Sequence, residues 1–265
     1  PPQESVPHLL VEDTRSALGW MAATAHDHPA RELGVVGITG TNGKTTVAHM
    51  MAAMTRESSR ALAVVGTVSA NLGDIEVSPR TTPEASTLQR IMRHLADEGR
   101  ITDLAIEVSS HAMVMGRVNG VEFDVVAFTN LSQDHLDFHS TMEEYYQAKA
   151  SLFEPQWAPR GVVWIDDPWG ERLAATAAIP VITVGAQPGA EAIVTYRGDT
   201  LQGSEFTLDF DGLSVTTETP LAGRFNVANA SIALICAHLQ GIDINSAAAG
   251  LRAMSPIPGR YNTLR

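Results

Sequence analysis

The chain is short of cysteine, short of charge and without long apolar runs, and each shortage narrows what it can be. Cys236 is the only cysteine among 265 residues, so no intrachain disulfide can form, and a reducing compartment is the simpler expectation. No stretch reaches the roughly 18 consecutive apolar residues of a membrane span. The opening PPQESVPHLLVEDTR does not read as a signal peptide, so a soluble, cytoplasmic protein is expected. Charged residues make up 18% of the chain, and 18 basic against 30 acidic residues leave a formal charge of −12. That balance argues against nonspecific binding to nucleic acid or to an anionic membrane. An anionic substrate would need a local cluster of donors and metal ions. Repeats and low-complexity segments are also missing.

What is present is a 44% hydrophobic share, enough for a substantial core, and a regular alternation of textures. After a Pro-rich, polar start, Thr14 to His26 places Leu18, Met21, Ala22 and Ala25 at helical spacing behind an Asp13/Thr14 cap. From Leu33 onward, LGVVGITG, ALAVVGT, DLAIEVSS, FDVVAFTN, GVVWIDD and IPVITVG each read as a short strand buried on both faces. Helical patterns such as TTVAHMMAAMTRE, EASTLQRIMRHLADEG and MEEYYQAKASLF lie between them. Strands of this kind separated by helices predict an α/β fold, a mostly parallel sheet flanked by helices. Residues 191–220 instead alternate apolar and polar, with turn signals at Arg197-Gly198-Asp199 and Asp211-Gly212. They predict a small antiparallel sheet appended to the main one. A last helix is expected over Asn226 to Gln240.

The sharpest local signal is GITGTNGKTT at 37–46, between a strand and a helix. Gly40 and Gly43 allow the backbone to curl around phosphate oxygens. Lys44 supplies a cation to the terminal phosphates, and Thr45 offers a hydroxyl to Mg²⁺. The strict pattern wants glycine at position 38, where this chain has Ile38, so the loop is a variant, and a plain Gly-rich turn is the competing reading. Glu107 ends the apolar strand DLAIEV, where a carboxylate faces the ligand crevice of a parallel sheet and suits Mg²⁺; a solvated strand end is the bland alternative. In FTNLSQDHLDFHS, Asp134, His135, Asp137 and His139 crowd one loop, which suits metal binding or proton transfer better than a surface turn. Lys149 by composition alone is a snorkelling surface lysine. Asn226 and Asn229, three apart at a helix start, could cap that helix or read a base edge.

Taken in order, GTNGKTT, TTPEA, EVSSHAM, FTNLSQDHLDFH, YYQAKASLF, GRFNVANASIA and PGR resemble the Mur ligases, which build the peptide of bacterial peptidoglycan. The resemblance covers roughly residues 11–260 and is nearest to members that add a diamino acid to UDP-MurNAc-L-Ala-D-Glu. It implies an ATP- and Mg²⁺-dependent ligase working through an acyl phosphate. By resemblance, Gly40, Thr41, Asn42, Gly43, Lys44, Thr45 and Thr46 hold the triphosphate, with Asn226 and Asn229 on the adenine side. Thr45 and Glu107 hold one metal ion; His135 and a carbamylated Lys149 hold a second, which reverses the surface reading of that lysine. Lys44, His135 and Lys149 are the implied catalytic set, and Thr81, Thr82, Ser109 and Arg117 match the positions that hold the muramoyl peptide. Arg80 stands where an Asn is common in the family, and Met115 where some members have Gln. The implied division is residues 1–30 as the end of a uridine-nucleotide domain and linker, 31–258 as a central ATP-binding domain, and 259–265 as a hinge to a third domain. The partners implied are the UDP-MurNAc dipeptide, meso-diaminopimelate or L-lysine, and flanking domains of the same enzyme. A folylpolyglutamate-synthetase-like ligase and a non-catalytic nucleotide-binding relative are the two rivals. TTPEA with SSHAM argues against the first, and intact Lys44, Glu107, His135 and Lys149 against the second.

Overall fold

The computed structural model describes residues 8–73, 80–135 and 137–255. A first helix, α1 (Thr14–Ala25), opens where the Asp13 carboxylate accepts the Arg15 N–H at 2.9 Å, the cap expected there. Strands and helices then alternate: β1 (Gly34–Thr39), α2 (Lys44–Met54), β2 (Leu62–Val65), α3 (Ala85–Glu98), β3 (Asp103–Glu107), α4 (Ser110–Val114) and β4 (Val125–Phe128). Next come α5 (Met142–Ala150), β5 (Gly161–Trp164), α6 (Pro168–Thr176) and β6 (Val181–Gly185). The strands β7 (Ala192–Asp199), β8 (Ser204–Phe210) and β9 (Leu213–Thr219) precede α7 (Arg224–Leu239) and α8 (Ile244–Arg252).

Among the described residues, nine strands form one sheet in the order β2-β3-β1-β4-β5-β6-β7-β8-β9. Every pair from β2 across to β7 is parallel, and β8 runs antiparallel to both β7 and β9. The antiparallel part continues the main sheet, since Val184 and Gly185 pair with Ala192 and Ile193. Because strand residues alternate between faces, the sheet feeds two cores. Val36, Ile38, Val64, Ala105 and Ala127 join the cluster that holds the apolar residues of α2, α7 and α8. Val35, Val65, Leu104, Ile106 and Phe128 join the one built with α3 and α5. The strands thus bury both faces, which is why they read as unbroken apolar runs.

Strand order positions the site. Leaving β1, the chain first builds β2 and β3 on one side and then returns to place β4 on the other. The loops after β1, β3 and β4 therefore meet at one end of three adjacent strands, where Ile38 pairs with Glu107 and Thr39 with Phe128. Such a reversal opens a crevice at the carboxyl ends of a parallel sheet.

Two local readings change. Arg197-Gly198-Asp199 is a bulge inside β7, with the register shifting between Tyr196 and Gly198, and not a turn. The reversal comes later, where the Thr200 N–H donates to the Gly203 carbonyl at 2.7 Å. A glycine at φ 145° serves a bulge as readily as a turn, so its presence alone does not separate the two. Asp211-Gly212 does turn the chain, with both residues at positive φ. The helices α4, α6 and α8 were not anticipated, although Asp167 and Asp243 cap the last two through their side chains. Among the described residues, no helix is long and apolar enough to cross a membrane.

α8 approaches α2 so closely that a Cβ on Gly250 would lie 2.5 Å from the Ala53 carbonyl oxygen and 2.7 Å from the Met54 Cα. Replacing a helical glycine by alanine ordinarily adds about 0.5–1 kcal/mol. Here the contact is with backbone, so Gly250→Ala should instead cost about 1–3 kcal/mol. Urea unfolding should show a lowered midpoint at unchanged slope; a raised midpoint would refute this packing.

Candidate functional site

The loop between β1 and α2 needs glycine at two points. Gly40 and Gly43 sit at φ 136° and 92°, in the region that favours glycine. A Cβ on Gly40 would run into the Thr129 hydroxyl, and one on Gly43 into the Asn229 side-chain oxygen. The loop is held from outside by the first residues after β4. The Asn130 carbonyl accepts the Thr41 N–H at 2.9 Å, and the Asn130 side-chain oxygen accepts the Asn42 N–H at 3.1 Å. In return, the Asn42 carbonyl accepts the Thr129 hydroxyl at 2.6 Å and the Asn130 amide at 3.1 Å. Two loop amides expected to face phosphate are therefore committed to Asn130. α2 opens without a side-chain cap, so its first turn remains a place for an anion.

Two lysines converge on this loop. The Lys44 ammonium donates to the carbonyls of Gly40 and Thr41, both at 2.8 Å. Lys149 reaches the same Gly40 carbonyl at 2.9 Å from α5. At 1% exposure Lys149 is not the snorkelling side chain its composition suggests. Burial, then the nearby Lys44 charge, pushes its amine well below the usual lysine range, against a smaller opposing pull from Asp134. Among the described residues it forms no salt bridge. Tyr145, one turn earlier on α5, lays its ring 4.6 Å from the Lys149 nitrogen and brings its hydroxyl within 3.2 Å of the Thr41 hydroxyl.

Glu107 at the end of β3 is also 1% exposed. Its carboxylate accepts the Thr67 N–H at 2.9 Å and the Thr67 hydroxyl at 3.3 Å. Burial pushes its pKa up, while the Thr45 hydroxyl, Lys44 and Thr67 pull the other way. A carboxylate beside a threonine hydroxyl is a hard oxygen pair of the kind Mg²⁺ takes together with phosphate and water. Among the described residues, no cluster of three or more His, Cys, Asp or Glu side chains could hold a metal unaided.

His135 lies in the loop after β4 at φ 52°, half-exposed, with its ring centroid 5.1 Å from that of His111 and 6.1 Å from that of Tyr145. His139 is buried and pairs with the Ser110 hydroxyl at 2.8 Å. Burial first, and then neighbouring histidine charge, lowers the pKa of both His111 and His139. On the other flank, the Thr82 hydroxyl donates to the Glu107 carbonyl at 2.6 Å and accepts the Ser109 N–H at 3.2 Å. Ser109 caps α4 through its hydroxyl, Thr81 meets Thr67 at 3.1 Å, and Arg117 donates to the Thr82 carbonyl at 3.4 Å and pairs with Glu84.

A cavity of about 810 Å³ opens beside these groups. Residues 41–46, Thr81, Glu107, Asn226 and Asn229 line it. Thr129, Asn130, Asp166, Asp167 and the half-exposed Phe225 line it too, and the sequence reading gave none of them a role. Their signals were present, in the Thr-Asn and Asp-Asp-Pro that follow two buried strands and in the Phe beside Asn226. Thr82, Ser109, Arg117, His135 and Lys149 are not part of that lining; they sit next to it through Glu107, Thr81 and Thr41. The hinge expected at 259–265 lies outside the described residues. A second cavity of about 630 Å³, beside Arg56, Arg60 and Arg100, contains none of the expected site residues.

Residues 38–237 match the model of the Mur ligase middle domain. The UDP-N-acetylmuramoyl-L-alanyl-D-glutamate--2,6-diaminopimelate ligase of Streptomyces coelicolor is 43% identical over 261 residues, 96% of this chain and 51% of the relative. The ligase of the same name from Corynebacterium efficiens is 41% identical, covering 97% of this chain and 50% of the relative. The chain thus spans about half the length of the curated relatives it matches. A solved structure of a ligase with that name superposes at a TM-score of 0.86, with 29% identity, over 100% of this chain and 55% of the other. Mycobacterium tuberculosis folylpolyglutamate synthase complexed with ADP shares the fold at a TM-score of 0.73 and 18% identity, over 92% of this chain and 63% of the other. With its family model spanning three quarters of the sequence and its buried lysine and carboxylate gathered around the loop between β1 and α2, the chain belongs to the Mur ligases.

Proposed function

We propose that this chain is the ATP-binding part of a peptidoglycan-precursor ligase that joins 2,6-diaminopimelate to UDP-MurNAc-L-Ala-D-Glu. The substrates follow the names of the relatives. In this reading residues 31–258 form the central domain, 1–30 close a preceding uridine-nucleotide domain, and 259–265 lead into a domain that binds the amino acid. The observation that supports it most is the junction at the ends of β1, β3 and β4. There the phosphate loop, the Thr45–Glu107 pair and buried Lys149 sit beside Thr81, Thr82, Ser109 and Arg117.

The chemistry divides into two displacements. A carboxylate oxygen of the D-glutamyl residue attacks the γ-phosphorus of ATP, the bond to the β–γ bridging oxygen breaks, and ADP departs. The amine of the diamino acid then attacks the acyl carbon, an amide forms as the nitrogen gives up a proton, and phosphate leaves with the bonding pair and takes up that proton. Phosphoryl transfer of this kind depends on positioning and charge neutralisation more than on covalent help. Lys44 and the opening turn of α2 would hold the β- and γ-phosphates, and Asn226 and Asn229 would border the base. Arg117 would orient the peptide carboxylate beside Thr81, Thr82 and Ser109. Thr45 and Glu107 would hold one Mg²⁺, and His135 with Lys149 a second. When bound, Mg²⁺ supplies neutralising charge to the transferring phosphoryl group. The Lys149 donor fits a carbamate: carbon dioxide adds to a neutral amine, and this amine is buried, without a salt bridge and depressed in pKa.

Calorimetry with Mg-ATP tests the nucleotide assignment. The 265-residue chain should bind, and Lys44→Ala should abolish that binding; undiminished affinity would sink the phosphate-loop reading. The chain alone should yield no tripeptide by mass spectrometry when given Mg-ATP, the UDP-MurNAc dipeptide and diaminopimelate, because the amine must be held about 3–3.5 Å from the acyl carbon. Product formed at about 1 per second or faster would overturn the division of domains proposed above.

Lys149 also makes a prediction about pH. Its folded pKa lies below the ordinary 10.5, so between the two values the unfolded chain binds the extra proton and stability rises with pH. In buffers free of carbon dioxide, the parent should gain stability toward about pH 10 relative to Lys149→Met, which lacks the titrating group. Parallel pH profiles for the two proteins would count against a buried, neutral amine.

A further inference from the structure

The Tyr145 side chain is 1% exposed, yet its hydroxyl is neither surplus nor merely buried. It lies 3.2 Å from the Thr41 hydroxyl, which also donates to the Ser132 carbonyl at 3.2 Å and accepts the Ser132 N–H at 3.0 Å. A hydroxyl has one proton and two lone pairs. With its proton on Ser132 and one lone pair taken by Ser132, Thr41 has a single lone pair left, and the phenolic O–H of Tyr145 fills it. Thr41 is at the same time one of the two carbonyls that hold the Lys44 ammonium. The Tyr145 ring meanwhile lies 4.6 Å from the Lys149 nitrogen, and its centroid is 5.1 Å from that of His139. One side chain therefore touches the phosphate loop, the buried lysine and the histidine loop.

We infer that Tyr145 is a positioning residue of this site, its phenol fixing Thr41 of the phosphate loop while its ring walls Lys149. The inference rests on the nucleotide reading proposed above, and it concerns a residue that need not touch ATP itself. Removing the hydroxyl leaves the ring, the helix and Lys149 in place but frees one lone pair of Thr41 in a half-closed pocket. Thr41 is then held only through Ser132 and Asn130, so the loop segment whose carbonyl docks Lys44 is less firmly fixed.

Mg-ATP affinity of the 265-residue chain, measured by calorimetry at a temperature where every variant is folded, tests this. Tyr145→Phe should bind about three- to tenfold more weakly, the size of one neutral hydrogen bond. Thr41→Val removes the same bond from the other end and should also weaken binding. Thr41→Val also deletes the two bonds to Ser132, so the double variant should be no weaker than Thr41→Val alone, because the Tyr145 bond is already gone there. A purely structural tyrosine would lower the melting temperature and leave the affinity of the folded protein unchanged. Parental affinity in Tyr145→Phe, or losses that multiply in the double variant, overturns the inference while leaving the nucleotide reading intact. A parent chain that fails to bind Mg-ATP overturns both.

Discussion

The geometry of this site depends on one set of bonds, those by which Thr129 and Asn130 hold the backbone of Thr41 and Asn42. A glycine-rich loop has more conformational freedom to lose than any other segment of its length. Something rigid must select the curled form. Here the selector is the end of β4, which the sheet fixes by pairing β4 directly with β1. The same contact is so close that a side chain at Gly40 would collide with Thr129, so permissive backbone and tight packing are one requirement. The variant residue Ile38 is compatible with this arrangement because it lies inside β1, buried in the core and upstream of the curl.

Electrostatics at the junction follow from burial more than from overall charge. A protein of net charge −12 has no favourable long-range field for a nucleotide or a carboxylate. It instead buries one acid and one amine near each other's loops, Glu107 and Lys149, both at 1% exposure. Burial disfavours the charged form of each, raising the acid and lowering the base. Each keeps polar partners within the fold, Glu107 the Thr67 N–H and hydroxyl and Lys149 the Gly40 carbonyl.

The remaining architecture supports that junction. α2, which begins at the glycine loop after β1, is packed between the sheet and α8 at a spacing that admits only glycine at position 250. α7 brings Asn229 against Gly43, so the helix on the same face as α2 also lines the cavity beside the β1–α2 loop. The antiparallel strands β7 to β9 extend the sheet under α7 and α8 and add Phe206, Leu208 and Val215 to the same core.

Much of this was legible in the chain itself. Apolar runs of strand length, helical patterns between them and turn residues with a mechanism gave an α/β fold, because periodicity and burial are local properties of sequence. The curl of the β1–α2 loop was legible too, since Gly40 and Gly43 lie within a few residues of one another and both take positive φ. Three things were settled only by tertiary structure. Lys149 is buried because α5 sets it against the Gly40 carbonyl, a contact across 109 positions that no local pattern encodes. Gly198 makes a bulge because its partner strand, not its own neighbours, fixes the register. Thr41, Tyr145 and Ser132 form one hydrogen-bonded group because the β1–β4 pairing carries the loops after both strands to the same place. Sequence determines which residues are able to do chemistry, but distance between remote segments is fixed by packing, and these hydrogen bonds form only within about 3 Å.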